Sequence, residues 1–307
     1  MNSQIAQTYS IFEQPWWLDA TAPGQWDAIE VDEGGKTIAR LPFILKKKYG
    51  LRIIGQPQLT QTLGPWIEQA SSDHSRSLKR RRDLTQKLIS KLPKYDIFSQ
   101  SFHPSITDWL PFHWENFSQT TKYTYVLKDL RNPTELLERM SQSSRYSIKR
   151  AAKLISVVES DGIEEVARLA EKTFRRQGLD MPYSFDLLNR IDEAAKAYGQ
   201  RRALLGIDSD GRIHSAAYLV GDHRRAYLLV SGADPELRQS GSGNLVHWAA
   251  IEAAAEFTKV FDFEGSMIRP VESFYRGFGA MQTPYHAISK QGKFVTLAAS
   301  LSQLLHK

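Results

Sequence analysis

Apolar positions in the second half of this chain switch between strand-like and helix-like spacing in a fixed order. Ala226 to Val230 is a short apolar, aromatic run and predicts a buried strand. Ser231 to Gly243 is dense in turn formers. Asn244 to Phe257 predicts a helix in which Leu245, Val246, Trp248, Ala249 and Ile251 make most of the surface apolar. Upstream, Ala203–Ile207, Ile213–Gly221 and Arg225–Ser231 predict an antiparallel meander, with turns at Asp208-Ser209-Asp210-Gly211 and Gly221-Asp222-His223. Thr121–Leu127 and Ile155–Glu159 are further strands. Helices are predicted from Asn132, over Gly162–Gln177 and over Ser184–Tyr198. After the central helix come a strand at Lys259–Phe263, a short helix from Arg269 stopped by glycine, a strand at Pro284–Ser289 and a helix at Thr296–Leu305.

The first half has its own alternation. A short helix is expected around Trp16-Trp17-Leu18-Asp19-Ala20, after a proline. Trp26–Ile29 and Lys36–Leu45 are strands around Asp32-Glu33-Gly34-Gly35, and Ile53–Leu63 is expected as loop. Ser72–Leu92 has an apolar face of Leu78, Leu84, Leu88, Ile89 and Leu92. Lys79-Arg80-Arg81-Arg82 lies on its other side. Tyr95–Phe102 alternates as a strand, and the aromatic cluster Asp108–Trp114 is expected at a packed domain seam. The predicted class is α/β (α+β) in two domains, residues 1–118 and 119–307.

Composition narrows the function. The 307 residues are 41% hydrophobic and 24% charged, the balance of a globular protein. No apolar run approaches the roughly 20 residues of a membrane span. The N-terminus lacks a basic start before an apolar stretch, so a secretory leader is not expected. With no cysteine, thiolate catalysis and Cys-zinc sites are excluded, and no metal is expected. A cytoplasmic location is compatible with this composition. The formal charge of +6 favours anionic partners: CoA, a nucleotide-linked acceptor or, less favoured, tRNA.

The strand–glycine loop–helix order presents backbone N–H groups at the positive end of a helix, which suits a pyrophosphate. Gly241 and Gly243 let the backbone approach such a ligand. Arg145, Lys149 and Lys153 fall on one helical face beside Tyr146 and Arg150, where cations suit a phosphate-bearing substrate. Lys46-Lys47-Lys48 reads either as a solvated strand end or as a grip on acceptor phosphates.

Arg238-x-x-Gly241-x-Gly243 fits the R/Q-x-x-G-x-G/A loop of the GNAT N-acyltransferases. Five segments in order then resemble the FemAB-like branch of that superfamily: Tyr123–Leu127, Ser144–Ala151, Ser231–Pro235, Phe261–Ser266 and Phe274–Gly279. The resemblance implies two GNAT-like domains, the first degenerate, each a mixed, largely antiparallel sheet flanked by helices. It implies direct attack of an amine on the carbonyl of acetyl-CoA or another acyl-CoA. Ser231, Gly232, Ala233, Arg238, Gly241, Ser242 and Gly243 would bind the donor. Arg145, Tyr146, Lys149 and Arg150 would hold an acceptor drawn from cell-envelope or polysaccharide precursors. Tyr275 would protonate the leaving thiolate, or serve as a buried aromatic. Glu264 would act on the acceptor amine, or cap the next helix with Ser266. His247 is expected as a packed core histidine. An aminoacyl-tRNA donor and a non-enzymatic binding module are the alternatives.

Overall fold

The structure is a computed structural model, which describes residues 6–68, 74–265 and 267–292. In chain order the first half has α1 (Pro15–Thr21), β1 (Trp26–Glu33), β2 (Lys36–Lys48), β3 (Leu51–Gly55), β4 (Trp66–Ile67), α2 (His74–Ser90), β5 (Ile97–Ser101) and α3 (Leu110–Trp114). Next are β6 (Ser118–Leu127), α4 (Pro133–Arg139), α5 (Gln142–Ala151), β7 (Ile155–Ser160), α6 (Glu164–Arg176) and α7 (Phe185–Tyr198). The rest is β8 (Gln200–Asp208), β9 (Ile213–Gly221), β10 (Ala226–Ala233), α8 (Ser242–Ala255), β11 (Phe261–Asp262), α9 (Arg269–Arg276) and β12 (Met281–Gln291). The helix expected at Thr296–Leu305 lies outside the described residues.

Two compact units emerge, Met1–Lys122 with Pro284–Lys307, and Tyr123–Thr283. The described residues from Pro284 to Gly292, grouped with the second domain by sequence, therefore cluster with the first unit. The reason is main-chain pairing: Ala287–Gln291 of β12 run antiparallel to Ile97–Ser101 of β5.

The first unit has strand order β1-β2-β3-β5-β12, with β4 added to β2. All pairs are antiparallel except β3 with β5. Ile38, Ala39 and Leu41 of β2 pack with Leu84 and Leu88 of α2. Phe43, Ile54, Phe98, Phe102, Phe112 and Phe117 form a second apolar cluster. Ile54 is fully buried there, which explains why Ile53–Gly55 closes β3 where a loop was expected. Phe112, from the cluster expected at a domain seam, packs on Phe102 at 4.9 Å and Phe117 at 5.2 Å within this core. The basic run on α2 is engaged more than its charge suggests: Arg80 pairs with Glu33, and Arg82 with Asp108 at 2.7 Å and with the Trp114 ring.

The second unit has strand order β6-β11-β10-β9-β8-β7, antiparallel apart from β10 with β11. Helices α6 and α8 pack on β8–β10. Trp248, Val246, Ile251 and Ala254 of α8 join Leu204, Leu219, Leu228 and Phe261 in its core. Capping follows local sequence. Asn132 caps α4 through Glu135 N–H, and Ser184 caps α7 through Leu187 N–H. On α5 the cap is Ser141, two residues before the expected serines. Among the described residues no helix is long and apolar enough to cross a membrane.

Candidate active site

The site begins where β10 and β11 part. They pair in parallel only at Ala226↔Phe261 and Tyr227↔Asp262. From Leu228 onward the β11-facing edge of β10 has no strand partner among the described residues, while its other edge stays on β9 through a bulge between Leu228 and Val230. Gly232 lies on the freed stretch. A Cβ there would fall 2.3 Å from the carbonyl carbon of Leu169, so α6 rests directly on the strand backbone. The next N–H, that of Ala233, donates to Thr173 Oγ1 of α6 at 3.0 Å. That group, expected to bind the donor, is thus engaged by the fold.

The chain then turns into the glycine loop. Gly241 is left-handed, φ 77°, and its Cα faces Ser147 O of α5, where a Cβ would sit at 3.1 Å. Ser242 is buried and shares a hydrogen bond of 2.6 Å with Ser215 Oγ. Arg238 and Gln239 are exposed. Among the described residues, the N–H groups of Arg238, Gln239 and Gly243 have no hydrogen-bond acceptor, whereas those of Ser240 and Ser242 donate to Leu237 O and Ser240 Oγ. Of these open donors, Gly243 is in the first turn of the 14-residue α8, and Arg238 and Gln239 are in the single 3-10 turn that leads into it.

Sequence reasoning missed two features of this loop. Asp208 and His214 steady it: Asp208 Oδ2 faces His214 Nε2 at 2.9 Å, and His214 Nδ1 faces Ser240 Oγ at 3.0 Å. The hydrogen bond from His214, and after it those from Arg212, hold the Asp208 carboxyl well below the usual carboxylate range. Its anionic form only accepts, so the His214 Nε2–H donates to it. The second feature is Arg150 of α5, which donates through Nη2 to Gln239 O. Of the three cations and one tyrosine expected to hold the acceptor, this one reaches the glycine loop. Arg145 makes a long contact with Glu138 O at 3.4 Å, while Tyr146 and Lys149 are exposed.

Glu264 follows β11 in the left-handed region, φ 58°, and Gly265 continues at φ 61°. A Cβ on Gly265 would meet Tyr123 O at 2.2 Å. The turn is fixed from below by Asp262, which is fully buried. Its carboxylate accepts from Arg225 Nη1 at 2.9 Å, from the Thr124 hydroxyl and from Glu264 N–H at 2.9 Å. Asp262, Thr124 and Arg225 carry no active-site signature in sequence; the Phe261–Gly265 segment was the available pointer.

Among the described residues, Glu264 Oε1 is sealed from solvent without a hydrogen-bond partner. Burial, and after it the Asp262 charge, pushes its carboxyl well above the usual range. Tyr275 of α9 shares this environment: burial and the Glu264 charge hold its phenol up, and the nearby Ser231 side chain partly offsets them. Tyr183 is held up by burial and by the same carboxylate. Glu264, Tyr275, Tyr183 and Ser231 are therefore brought together. A carboxyl of raised pKa beside a protonated phenol has the chemistry a base and an acid require.

His247 lies beneath. Its Nδ1 is 2.7 Å from Gly243 O, so that nitrogen donates and Nε2 keeps its lone pair, buried and unpartnered. Phe274, Tyr275 and Phe278 surround the ring. Burial pulls its pKa down to about 4.

Residues 138–266 match the family model described as acetyltransferase (GNAT) domain. No curated protein matches the sequence. Among solved structures, FemX is similar at 15% identity, over 90% of this chain and 91% of that one, with a TM-score of 0.68. The C-terminal domain of a putative lysylphosphatidylglycerol synthetase from Agrobacterium fabrum is similar at 12% identity, over 92% and 89%, with a TM-score of 0.52. A tandem GNAT protein from the clavulanic acid biosynthesis pathway is similar at 12% identity, over 87% and 82%, with a TM-score of 0.51. These are likenesses of fold. The parted strands, the glycine loop and α8 all fall inside the matched acetyltransferase segment.

Proposed function

We propose that this chain, built on a GNAT acyltransferase domain and resembling the FemAB-like branch, moves an acyl group from acyl-CoA to an amine. The acceptor class we favour is a cell-envelope or polysaccharide precursor. One observation carries the donor assignment: the open N–H groups of Arg238 and Gln239 in the turn before α8 and of Gly243 in its first turn. A pyrophosphate there would accept from three backbone donors and lie at the positive end of the helix. Arg238 and Arg150 supply charge at the same loop, so we move Arg150 from the acceptor to the donor.

Chemistry follows at the parting of β10 and β11. Glu264, of raised pKa and lacking a partner, takes the proton of the attacking amine. The amine adds to the acyl carbonyl and the thiolate leaves. Tyr275, protonated over the physiological range, returns a proton to that sulfur, with Ser231 orienting its hydroxyl.

A second reading has an aminoacyl donor. The fold likeness to FemX and to a putative lysylphosphatidylglycerol synthetase favours it. Calorimetric titration with acetyl-CoA and with aminoacyl-tRNA separates the two. We expect saturable acetyl-CoA binding that weakens on the order of tenfold or more in Arg238→Ala and Arg150→Ala, as for a lost charge-assisted hydrogen bond. Salt-sensitive tRNA binding with no acetyl-CoA binding would sink the acyl-CoA reading.

A further inference from the structure

The hairpin joining β2 to β3 carries chemistry that acyl transfer does not use. Lys48 pairs with Leu51, so its loop is Tyr49-Gly50 alone. Both loop residues are left-handed, φ 52° and 77°, which makes a type I′ turn. Asparagine, aspartate or glycine suits the first position of such a turn; tyrosine does not. Nor is the ring there for packing. Tyr49 is 90% exposed, more than any other large apolar side chain among those described. Its one aromatic contact is with the Lys48 ammonium, 5.3 Å from the ring centroid. Lys46, Lys47 and Lys48 are exposed and form no ion pair among the described residues, while the next cation, Arg52, is tied to Asp96 at 3.4 Å. Turn chemistry, burial and ion pairing all leave this tip unexplained.

We propose that the hairpin tip docks the protein on an anionic lipid surface, with the lysines against headgroup phosphates and the Tyr49 ring at the interface. Three unpaired ammonium groups complement a negative surface, each adding attraction within a Debye length. A tyrosine ring with an apolar body and a polar end settles at headgroup depth. A two-residue tip offers one ring and no groove, which fits a planar surface better than a nucleic-acid strand needing a stacking platform. This inference stands independently of the donor and acceptor assigned above.

Co-sedimentation of the full chain with phosphatidylcholine vesicles, with and without phosphatidylglycerol, tests it. Binding is expected with the anionic vesicles alone and is expected to weaken with salt. Lys46→Ala with Lys48→Ala should weaken it by at least roughly tenfold, since each lysine near the surface contributes on the order of fivefold. Tyr49→Asn should weaken it severalfold while leaving the melting temperature the same or higher, because asparagine suits the turn; a binding loss there is not a folding loss. The proposal is overturned if the wild type binds neither vesicle, if it binds both alike, or if both variants bind as the wild type does. Binding to a single-stranded polyuridine probe in place of vesicles overturns it as well.

Discussion

Replacing His247 by leucine gives the most quantitative test of how the second unit is built. The side chain is 6% exposed and surrounded by Phe274, Tyr275 and Phe278. Its pKa is about 4 in the fold, against about 6.5 in an unfolded chain. As pH falls below 6.5 the unfolded chain takes up a proton that the folded chain refuses, so folding loses stability through this window and the loss is complete below the folded pKa. Between pH 8 and pH 5 that amounts to about 2 kcal/mol for this one group. Leucine has no proton to bind, and the Gly243 carbonyl that loses the imidazole lies one helical turn back on α8. Urea unfolding of both proteins at the two pH values reads the difference. The wild type should lose about 2 kcal/mol more than the variant, a midpoint change of about 0.7 M for an m-value near 3 kcal/mol/M. Other titrating groups cancel in the comparison. Equal losses, within about 0.5 kcal/mol, would refute the idea that burial keeps this imidazole neutral.

Two further substitutions test the site. Glu264→Gln should lower kcat by roughly 10²–10⁴-fold with little change in donor KM, the usual contribution of a positioned base. Because the Glu264 carboxyl is raised, the wild-type rate should climb as pH rises through its pKa and the variant's rate should stay flat; a pH–rate profile shared by both proteins removes Glu264 from the mechanism. Gly265→Ala would place a Cβ 2.2 Å from Tyr123 O on a left-handed residue. It should destabilise the protein by about 1–3 kcal/mol, read as a lower Tm, and an unchanged Tm would mean that the turn relaxes freely.

The meander, glycine loop and central helix were legible because each has a local signal: apolar runs of strand length, glycines at turns, and an apolar stretch too long for a strand. Ser141 was missed as the α5 cap because several serines stand together and only packing selects among them. The short pairing of β11 was overestimated as Lys259–Phe263, since strand propensity does not reveal that a neighbour departs after two residues. Glu264 and Tyr275 were nameable through a resemblance, but the grounds for pairing them were not. Those grounds are burial, the ion pair of Asp262 with Arg225, and the left-handed turn, all set by residues far apart in sequence. Arg150 shows the limit most clearly. Helical spacing placed it among exposed cations, and only the packing of α5 beside Gly241 brings it to Gln239.

The parting of β10 from β11 also bears on how this protein would appear in a genetic screen. What the freed edge presents is main chain, and no point substitution deletes a peptide group. Most side-chain changes along Leu228–Ala233 would act through folding instead of removing a contact to a ligand. Loss-of-function alleles should therefore gather at the glycines whose missing Cβ keeps the backbone in place, Gly232, Gly241 and Gly265, and at Glu264. Leu228, Leu229 and Val230, all buried, should drift among apolar residues of similar size with little phenotype.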